Sequence, residues 1–348
     1  MIEESVKDEA DYEKTVEEAR TFIVVVIFLL IIFCMTAGNL LYIHVRVFQA
    51  IPQGEDTVEY NRHIAFIADD EQDSFWNEVY ESARQEGAQK GYYVEAFGQK
   101  LSVDYTKTQL FSIALQAGVD AVILQGNDIE DSKLWQEAAQ KEIPVITVLS
   151  DITEEGRTCF VGVNSYNLGQ LYGREVLSLL GSGKNRIYVL INKNTTNTSQ
   201  NIIYSGIRDV LESEAHCSYE LLPWAIQAQG TFGTEETVRD IFMSGEELPD
   251  ILICLDKLGT TSACQSVVDF NKVGDVNIIG CYTSDAILHA IKQEVLHATI
   301  DFDTQGMGIN CIDALDMYWQ EGHVSSYIPV SENLITVENV EDYMADEE

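Results

Sequence analysis

The feature that most constrains the fold is an alternation of two hydrophobic patterns that begins at residue 63 and occurs twice along the chain. Short runs rich in β-branched residues alternate with amphipathic stretches of helical length. This alternation is typical of parallel sheets that are covered by helices on both faces. Two successive sets therefore predict an α/β chain with two Rossmann-like lobes.

The predicted strands follow from the apolar runs. In the first set they cover 63–68, 92–97, 121–125, 144–149 and 159–163. In the second set they cover 186–192, 219–222, 251–256 and 276–282. Ligands of open parallel sheets bind beyond the carboxyl ends of the strands, so two lobes that face each other at those edges form a cleft.

An uncharged apolar run of 22 residues, 22–43, precedes this region. A helix of that length crosses a hydrocarbon core of about 30 Å, and a buried core helix seldom lacks every polar stripe over such a length. A cleaved signal peptide, with its charged start at Arg20, is the other alternative. The acidic leading segment and the continuation of the run past residue 38 favour an uncleaved transmembrane anchor over residues 21–44.

The basic residues near this run indicate its orientation. Lys7, Lys14 and Arg20 precede the run, whereas Arg46 and Arg62 follow it. The positive-inside rule then predicts a single-pass protein of the cell membrane with its binding domain outside the cell. The predicted order is a cytoplasmic segment at 1–20, the anchor at 21–44 and a stalk at 45–61.

Composition and the absence of motifs exclude several classes of function. With 57 acidic and 21 basic residues, the formal charge is -36, and such a chain is repelled by nucleic-acid phosphates. The seven cysteines form no Cys-x-x-Cys pair, and most lie in apolar runs, which argues against a disulfide framework or a zinc site. No serine-nucleophile elbow, zinc-protease motif or phosphate loop occurs. We therefore predict no enzyme activity, cofactor or metal.

Four groups of segments carry a family signature. They are IAFIADDEQDSFWNEVYESARQEGAQKGY (64–92), QAGVDAVILQGND (116–128), IPVITVLSD with FVGVNSYNLGQLYG (143–151 and 160–173), and ILICLDKLGTTSACQSV with VNIIGCYTSDAILHAIKQEVLHATIDFD (251–267 and 276–303). In this order and spacing, residues 62–337 resemble the type I periplasmic-binding-protein fold, in its ribose- and galactose-binding, LacI-like branch. A transmembrane run stands where the repressors of this branch have a DNA-binding headpiece, which argues against a transcription factor.

The resemblance implies three crossovers that join the lobes as a three-strand hinge. They are expected near Asn164, Phe302 and Ile328. The first lobe then covers 62–164 plus 303–328, and the second covers 165–302 plus 329–348.

The resemblance also implies ligand contacts in both lobes. In the first lobe, Asp73, Phe75 and Trp76 match a loop whose aromatic rings cover one face of a sugar. In the second, Asp256 matches a position that carries Asn or Asp and binds ligand, and Phe232 is a candidate for a second aromatic wall. The alternatives are core packing for the two first-lobe aromatic residues and helix N-caps for the carboxylates, with Asp73 or Ser74 capping the helix at 75–89.

Four further positions depart from the pattern of the family's sugar binders. Ser150 lies where an Asp-Arg pair is common, and Asn201 lies near an expected arginine. Tyr282 stands in place of an aspartate, and Phe302 stands in place of a glutamine. The expected cleft thus lacks the arginines and keeps acids at Asp69, Asp70, Asp73, Asp256 and Asp301. Because an anion would find no basic partner there, we predict a neutral or cationic ligand such as a sugar, a polyol or an amino sugar.

These inferences predict a solute-binding receptor whose lobes close on a small polar ligand by hinge motion. The closed form would serve either an ABC permease or a membrane sensor histidine kinase. The alternative function is an extracellular adhesion module without a small-molecule site, in which the cleft would be sealed.

Overall fold

The chain forms two compact units, Met1–Glu59 and Tyr60–Glu348. The computed structural model describes residues 35, 36, 38, 60–68, 73–99, 101, 103, 105–126, 129, 131–151, 156–192, 198–226, 231–244 and 247–344. In the first unit it describes Met35, Thr36 and Gly38, which are helical. The rest of the predicted anchor, the predicted cytoplasmic segment and stalk residues 45–59 lie outside the described residues. Among the residues that are described, no helix is both long and apolar enough to span a bilayer.

Six parallel strands form the first sheet of the Tyr60–Glu348 unit. They are β1 (Arg62–Ile67), β2 (Tyr92–Ala96), β3 (Ala121–Leu124), β4 (Val145–Val148), β5 (Cys159–Gly162) and β11 (Tyr327–Pro329). Their order across the sheet is β11-β5-β4-β3-β1-β2. Every residue of β3, β4 and β5 is buried, as expected for parallel strands with helices on both faces.

A second sheet has six strands of its own. They are β6 (Asn185–Asn192), β7 (Tyr219–Ile226), β8 (Ile251–Cys254), β9 (Asn277–Cys281), β10 (Ala298–Phe302) and β12 (Glu332–Thr336). Their order is β12-β10-β9-β8-β6-β7, and β12 alone among these described strands runs antiparallel to its neighbour.

The helices pack on these sheets in two groups. The helices α1 (Ser74–Gln89), α2 (Lys107–Ala117), α3 (Ser132–Gln140) and α9 (Thr304–Glu321) pack with the first sheet or with one another. The helices α4 (Ser165–Leu179), α5 (Thr198–Glu214), α6 (Thr231–Met243), α7 (Lys257–Asp269) and α8 (Asp285–Lys292) belong in the same way to the second sheet, and a short 3-10 helix (Val340–Tyr343) packs on α8. We call the first group with its sheet the first lobe, and the second group with its sheet the second lobe. This arrangement confirms the predicted α/β fold of two lobes with parallel sheets.

The chain passes between the two sheets at three places within the described part of this unit. The first passage is at Asn164, between β5 and α4, and the second is at Asp303, between β10 and α9. The third is at 330–331, between β11 and β12. Because β5, β10 and β11 each lead directly into a passage, their carboxyl ends mark the edge at which one lobe gives way to the other.

Helices of both lobes begin at polar residues whose side chains accept backbone N–H bonds. The N-cap residues are Asp73, Thr106, Asp131, Asn164, Asp256, Ser284 and Asp303. Such caps satisfy donors that the first helical turn leaves without partners. Two of them, Asp73 and Asp256, are candidate ligand residues, so capping holds both carboxylates at strand-to-helix connections.

Candidate functional site

An ion pair joins the two lobes at the starts of α1 and α7. Asp73 accepts the backbone N–H of Phe75 at 2.9 Å through Oδ1, which fixes the carboxylate at the helix start. Its second oxygen, Oδ2, accepts from Lys257 Nζ at 2.7 Å. Lys257 is the first residue of α7, in the second lobe, so a charged contact bridges the cleft.

Beside this ion pair lies a group of four rings, Phe75, Trp76, Tyr282 and Phe302, which we call the cleft aromatic cluster. The Phe75 ring centroid lies 4.9 Å from that of Tyr282 and 6.5 Å from that of Phe302, both in edge-to-face geometry. Tyr282 and Phe302 are 5.3 Å apart, and Trp76 contacts Phe75 at 5.2 Å. Edge-to-face pairs at these distances are favourable, so the cluster stabilises the approach of the lobes.

Burial shows how the rings of this cluster are used in the present conformation. Trp76 is 7 % exposed and also packs edge-on against Phe66, a residue of β1. Phe75 and Phe302 are similarly buried. The rings therefore face one another and the core, and stacking of Phe75 or Trp76 on a sugar remains a prediction.

Asp256 lies at the carboxyl end of β8 and caps α7. Its Oδ1 accepts the backbone N–H of Gly259 at 2.7 Å, so the N-cap role is observed and the ligand role remains a prediction. Desolvation by burial raises the pKa of Asp256 above that of an ordinary aspartate. A buried carboxylate of this kind favours a partner that donates hydrogen bonds or carries positive charge.

Asp301, on β10, is a second carboxylate with altered titration. Burial is the main cause of its raised pKa, and the nearby charges of Glu78 and Asp303 raise it further. It accepts a hydrogen bond from Thr283 Oγ1 at 3.0 Å. Acids from both lobes thus approach each other at the Asp303 passage, whereas Asp69 and Asp70 lie outside the described residues.

Two residues with positive φ stand at equivalent edges of the sheets. Leu149 follows β4 with a φ of 61°, and Tyr282 follows β9 with a φ of 67°. For residues with a Cβ this region costs about 1–2 kcal/mol. Around Leu149 the chain makes a tight turn in which Ser150 N donates to Val148 O at 2.6 Å. Such strain is concentrated at functional sites, and here it orients Ser150 and the Tyr282 ring at the strand ends.

The structure does not bring every predicted residue to this place. Asn201 is exposed on α5, where its carbonyl accepts from Ser205 Oγ at 2.9 Å. Phe232 is 75 % exposed in the first turn of α6. Before α5, residues 193–197 are outside the described part, while Asn192 N donates to the Gln200 side chain at 2.9 Å.

Sequence reasoning missed two basic residues that matter here. Lys257 corrects the premise that the cleft acids lack a basic partner, because it pairs with Asp73. Its only local signal was its place directly after Asp256, at a strand end. Arg157 also supplies an Asp-Arg pair after β4, since its Nη2 lies 2.8 Å from Asp151 Oδ2. It further donates to the carbonyl of Ser326 at 2.9 Å, just before β11. No local signal pointed to it, because the partner residues are brought together by the sheet.

Comparison with known proteins agrees with this geometry. Residues 64–323 match the family model described as a periplasmic binding protein domain. No curated protein sequence matches the chain.

Several solved structures share this fold over about four fifths of the chain. One is a XylFII–LytSN complex, with 22% identity and a TM-score of 0.67, covering 80% of this chain and 98% of that chain. Another is GanP, a glucose-galactose binding protein from Geobacillus stearothermophilus, with 18% identity and a TM-score of 0.71, covering 80% and 98%. A third is an ABC transporter solute binding protein from Bacillus halodurans C-125 with bound myo-inositol, at 19% identity and a TM-score of 0.67, covering 82% and 98%. At these identities the similarity establishes the fold.

Proposed function

The chain belongs to the periplasmic binding protein family, and from this premise we propose that its lobes bind a sugar or a polyol between them and close around it. The family consists of ligand-binding proteins rather than enzymes. Binding and closure are then the whole of the activity, and the output is the closed shape that a partner recognises.

The observation that carries this proposal is the meeting of rings and carboxylates from both lobes at the carboxyl ends of parallel strands. The cleft aromatic cluster joins Phe75 to Tyr282 and Phe302 across the lobes, and Asp256 stands at the end of β8. Aromatic rings pack on the C–H faces of sugars, while carboxylates accept hydrogen bonds from their hydroxyls. Two relatives of the same fold, GanP and the myo-inositol complex, are described as binders of neutral polyhydroxylated molecules, which supports this ligand class.

The charges at the cleft favour a neutral ligand or an amino sugar over an anion. Lys257 is neutralised by Asp73 at 2.7 Å. Burial desolvates the carboxyl groups of Asp256 and Asp301 and raises their pKa values. A phosphate or carboxylate ligand would have to approach these acids and compete with Asp73 for the lysine, at a cost in free energy.

The proposed location is the outer face of the cell membrane. The apolar run within 21–44 would hold the chain as a single-pass protein, with the Tyr60–Glu348 unit outside. The closed form would then act on an ABC permease or a sensor histidine kinase. A XylFII–LytSN complex with the same fold supports signalling through a partner protein, and ABC-transporter solute-binding relatives support delivery to a permease. Protease added to intact cells should remove the 60–344 region and leave an N-terminal tag protected, and protection of both would contradict this location.

Ligand binding is tested by thermal unfolding of the full chain in detergent with neutral sugars, polyols, amino sugars and phosphorylated sugars. A bound ligand raises Tm by mass action, by the equivalent of about 2.7 kcal/mol at a hundred times Kd. We expect a shift with a neutral or amino sugar. A shift restricted to phosphorylated sugars would contradict the charge argument, and no shift across the panel would favour the adhesion alternative.

The site is tested with Asp256→Asn in the same assay and by titration calorimetry. Asparagine caps a helix about as well as aspartate, so folding should be preserved while the carboxylate is lost. We expect affinity to fall about tenfold or more, because hydrogen bonds to charged groups contribute about 1.5–3 kcal/mol. The matched control is Asp269→Asn, on the exposed face of the same helix, which should bind as the natural chain does. Equal affinity in both variants would remove Asp256 from the site.

A further inference from the structure

We propose that Lys257 and Asp73 form a latch that holds the lobes closed before ligand arrives, so that the ligand-free protein is largely closed and opens as ionic strength rises. The inference rests on the proposed function in taking closure of the lobes as the working motion. It adds a regulatory device built from this chain's own residues.

Both partners of the latch are held in place by their own lobes. Asp73 is tied to the start of α1 by the bond from Phe75 N, and this leaves Oδ2 directed at the lysine. Lys257 is placed by the cap of α7, where Asp256 accepts from Gly259 N at 2.7 Å. A bond between two positioned side chains resists lobe separation better than one between flexible surface side chains, because less side-chain entropy is lost when it forms.

Partial burial strengthens this contact. The side chains of Lys257 and Asp73 are 30% and 26% exposed, so solvent screens the pair only in part. The pairs Lys272–Asp275 and Lys292–Glu341 involve more exposed side chains and join residues within the second lobe. The latch therefore differs from these pairs both in shielding and in what it connects.

The cleft aromatic cluster lies beside the latch and closes the same gap. Phe75, in the lobe that carries Asp73, packs against Tyr282 and Phe302 in the lobe that carries Lys257. These contacts are made between protein side chains, with the rings of Phe75 and Phe302 buried and that of Tyr282 half-buried. The lobes therefore have favourable contacts with each other that do not depend on a ligand.

A latch of this kind changes ligand exchange in a defined way. Ligand must enter through the open form, whereas tight binding requires the closed form. Breaking the latch should therefore increase the rate of ligand association, and increase the rate of dissociation by a larger factor. Affinity then falls in proportion to the lost closed population. Added salt should act in the same direction, because it screens the ion pair.

The test measures the distance between the lobes in the ligand-free full chain in detergent micelles. Gln116, in α2, and Gln265, in α7, are both exposed. Each is replaced by a non-canonical amino acid that carries the spin label, so that the native cysteine thiols are not labelled. Pulsed dipolar spectroscopy then gives the distance distribution. We expect one narrow, short distance for the natural chain, and a second, longer distance in Lys257→Gln, with the closed-to-open ratio reduced up to about fivefold.

A double-mutant cycle assigns the effect to the pair. Asp73→Asn keeps a capping residue at the start of α1 and removes the charge. If the latch is real, this variant opens the lobes as Lys257→Gln does, and combining the two adds little further opening. The control is Lys272→Gln, which breaks an ion pair inside the second lobe and should leave the distance unchanged.

Two results would overturn the latch. One is a natural chain that is already open without ligand, and the other is a Lys257→Gln chain whose distances match those of Lys272→Gln. The outcome is separable from that of the proposed function. If the ligand-free lobes are closed and no compound in the thermal panel binds, the result supports the latch and counts against the receptor function. Sugar binding by a chain that is open when free would support the receptor and overturn the latch.

Discussion

The two lobes carry their first five strands in the same order but differ at the sixth. The order β2-β1-β3-β4-β5 in the first sheet corresponds to β7-β6-β8-β9-β10 in the second. In the first sheet β11 joins β5 in parallel, whereas β12 joins β10 antiparallel. The reason lies in the route of the chain. β11 runs towards the cleft, as β5 does, and the chain then enters the second lobe from the cleft, so β12 must run away from the edge at which β10 ends.

The edges of the two lobes at the cleft can be compared in the same way. In both, the fourth strand is followed by a residue with positive φ, Leu149 in one and Tyr282 in the other. The first lobe contributes buried rings and a capping carboxylate, Asp73. The second contributes the raised-pKa carboxyl groups and the lysine of the latch. The repeated backbone therefore sets the strained positions, both lobes contribute rings to the cleft aromatic cluster, and the ion pair is divided between them, with Asp73 in the first lobe and Lys257 in the second.

The largest expected loss of stability comes from adding a Cβ at glycines where two helices of one lobe pack closely. A Cβ at Gly308 would overlap the Val79 carbonyl and the Ser82 hydroxyl in the α1–α9 contact. A Cβ at Gly169 would overlap the Ile203 carbonyl in the α4–α5 contact. We expect Gly308→Ala and Gly169→Ala each to lower the free energy of unfolding by about 1–3 kcal/mol, as overpacking does.

The comparison between these two variants is measured by urea denaturation. The losses should be similar in the two lobes, because a backbone carbonyl that cannot rotate away lies against the added Cβ both at Gly169 and at Gly308. Gly183→Ala is the control, since a Cβ there has open space. If all three variants are equally stable, the helices do not rely on these glycines for close packing.

The strain at the equivalent edge positions predicts a reversed order of alanine and glycine. In ordinary positions alanine is more stable than glycine by about 0.5–1 kcal/mol. At Leu149 and at Tyr282 the positive φ should make Leu149→Gly and Tyr282→Gly more stable than the corresponding alanine variants, by about 1 kcal/mol. Both members of each pair lose the natural side chain, so the difference in unfolding free energy reports the backbone alone.

Lys292, at the end of α8, is the control for the same measurement, because alanine should be more stable than glycine there. There Lys292→Ala should be more stable than Lys292→Gly, in line with helix propensity. Reversal at only one of the two edge positions would break the equivalence of the lobes. Normal order at both would show that neither edge is strained in solution.

The smallest effect concerns the pH dependence of the second lobe. The pKa of Asp301 is raised by burial in the folded state, so the folded chain holds its proton at a higher pH than the unfolded chain does. Stability contributed by the protonated form is therefore lost as pH rises from the ordinary aspartate pKa of about 4 through the raised value. Asp301→Asn removes this titration and keeps an acceptor for Thr283. Its stability relative to the natural chain should be greater at pH 7 than at pH 4.

Urea unfolding of both chains at the two pH values measures this difference. Asp269→Asn, on an exposed face of α7, serves as the comparison. A difference between Asp301→Asn and the natural chain that does not vary with pH would contradict a raised pKa for Asp301 in the folded state.

Much of the fold could be predicted from the sequence, because strands and helices follow from the local periodicity of apolar residues. The predicted strands at 63–68, 121–125 and 144–149 overlap β1, β3 and β4 with errors of one residue at their ends. Parallel strands buried on both faces are continuous apolar runs, and such runs stand out from amphipathic helices. By contrast β11 has three residues and ends in proline, and β12 mixes polar and apolar residues, so neither was predicted as a strand.

The candidate site could be predicted only in part, because local patterns place residues at strand ends but do not show which of them meet. The sequence indicated that Asp73, Phe75 and Asp256 stand at strand ends, because the strand-to-helix pattern around each of them is local. It left open whether Trp76 turns into the core, and it could not indicate that Tyr282 is strained or that Arg157 pairs with Asp151 and reaches Ser326. Each of these depends on neighbours that the sheets bring together.

The sequence by itself determined two α/β lobes, the order of the strands β1 to β9 along the chain, and the polar caps at the strand ends, because these depend on residues within a few positions of one another. Only the tertiary structure decided which side chains from the two lobes meet. Lys257 and Asp73 are separated by 184 positions, and a contact at that distance arises from the packing of whole sheets rather than from any local pattern. The same packing decided that Phe75 faces Tyr282 and Phe302, since burial of the rings depends on how closely the lobes approach.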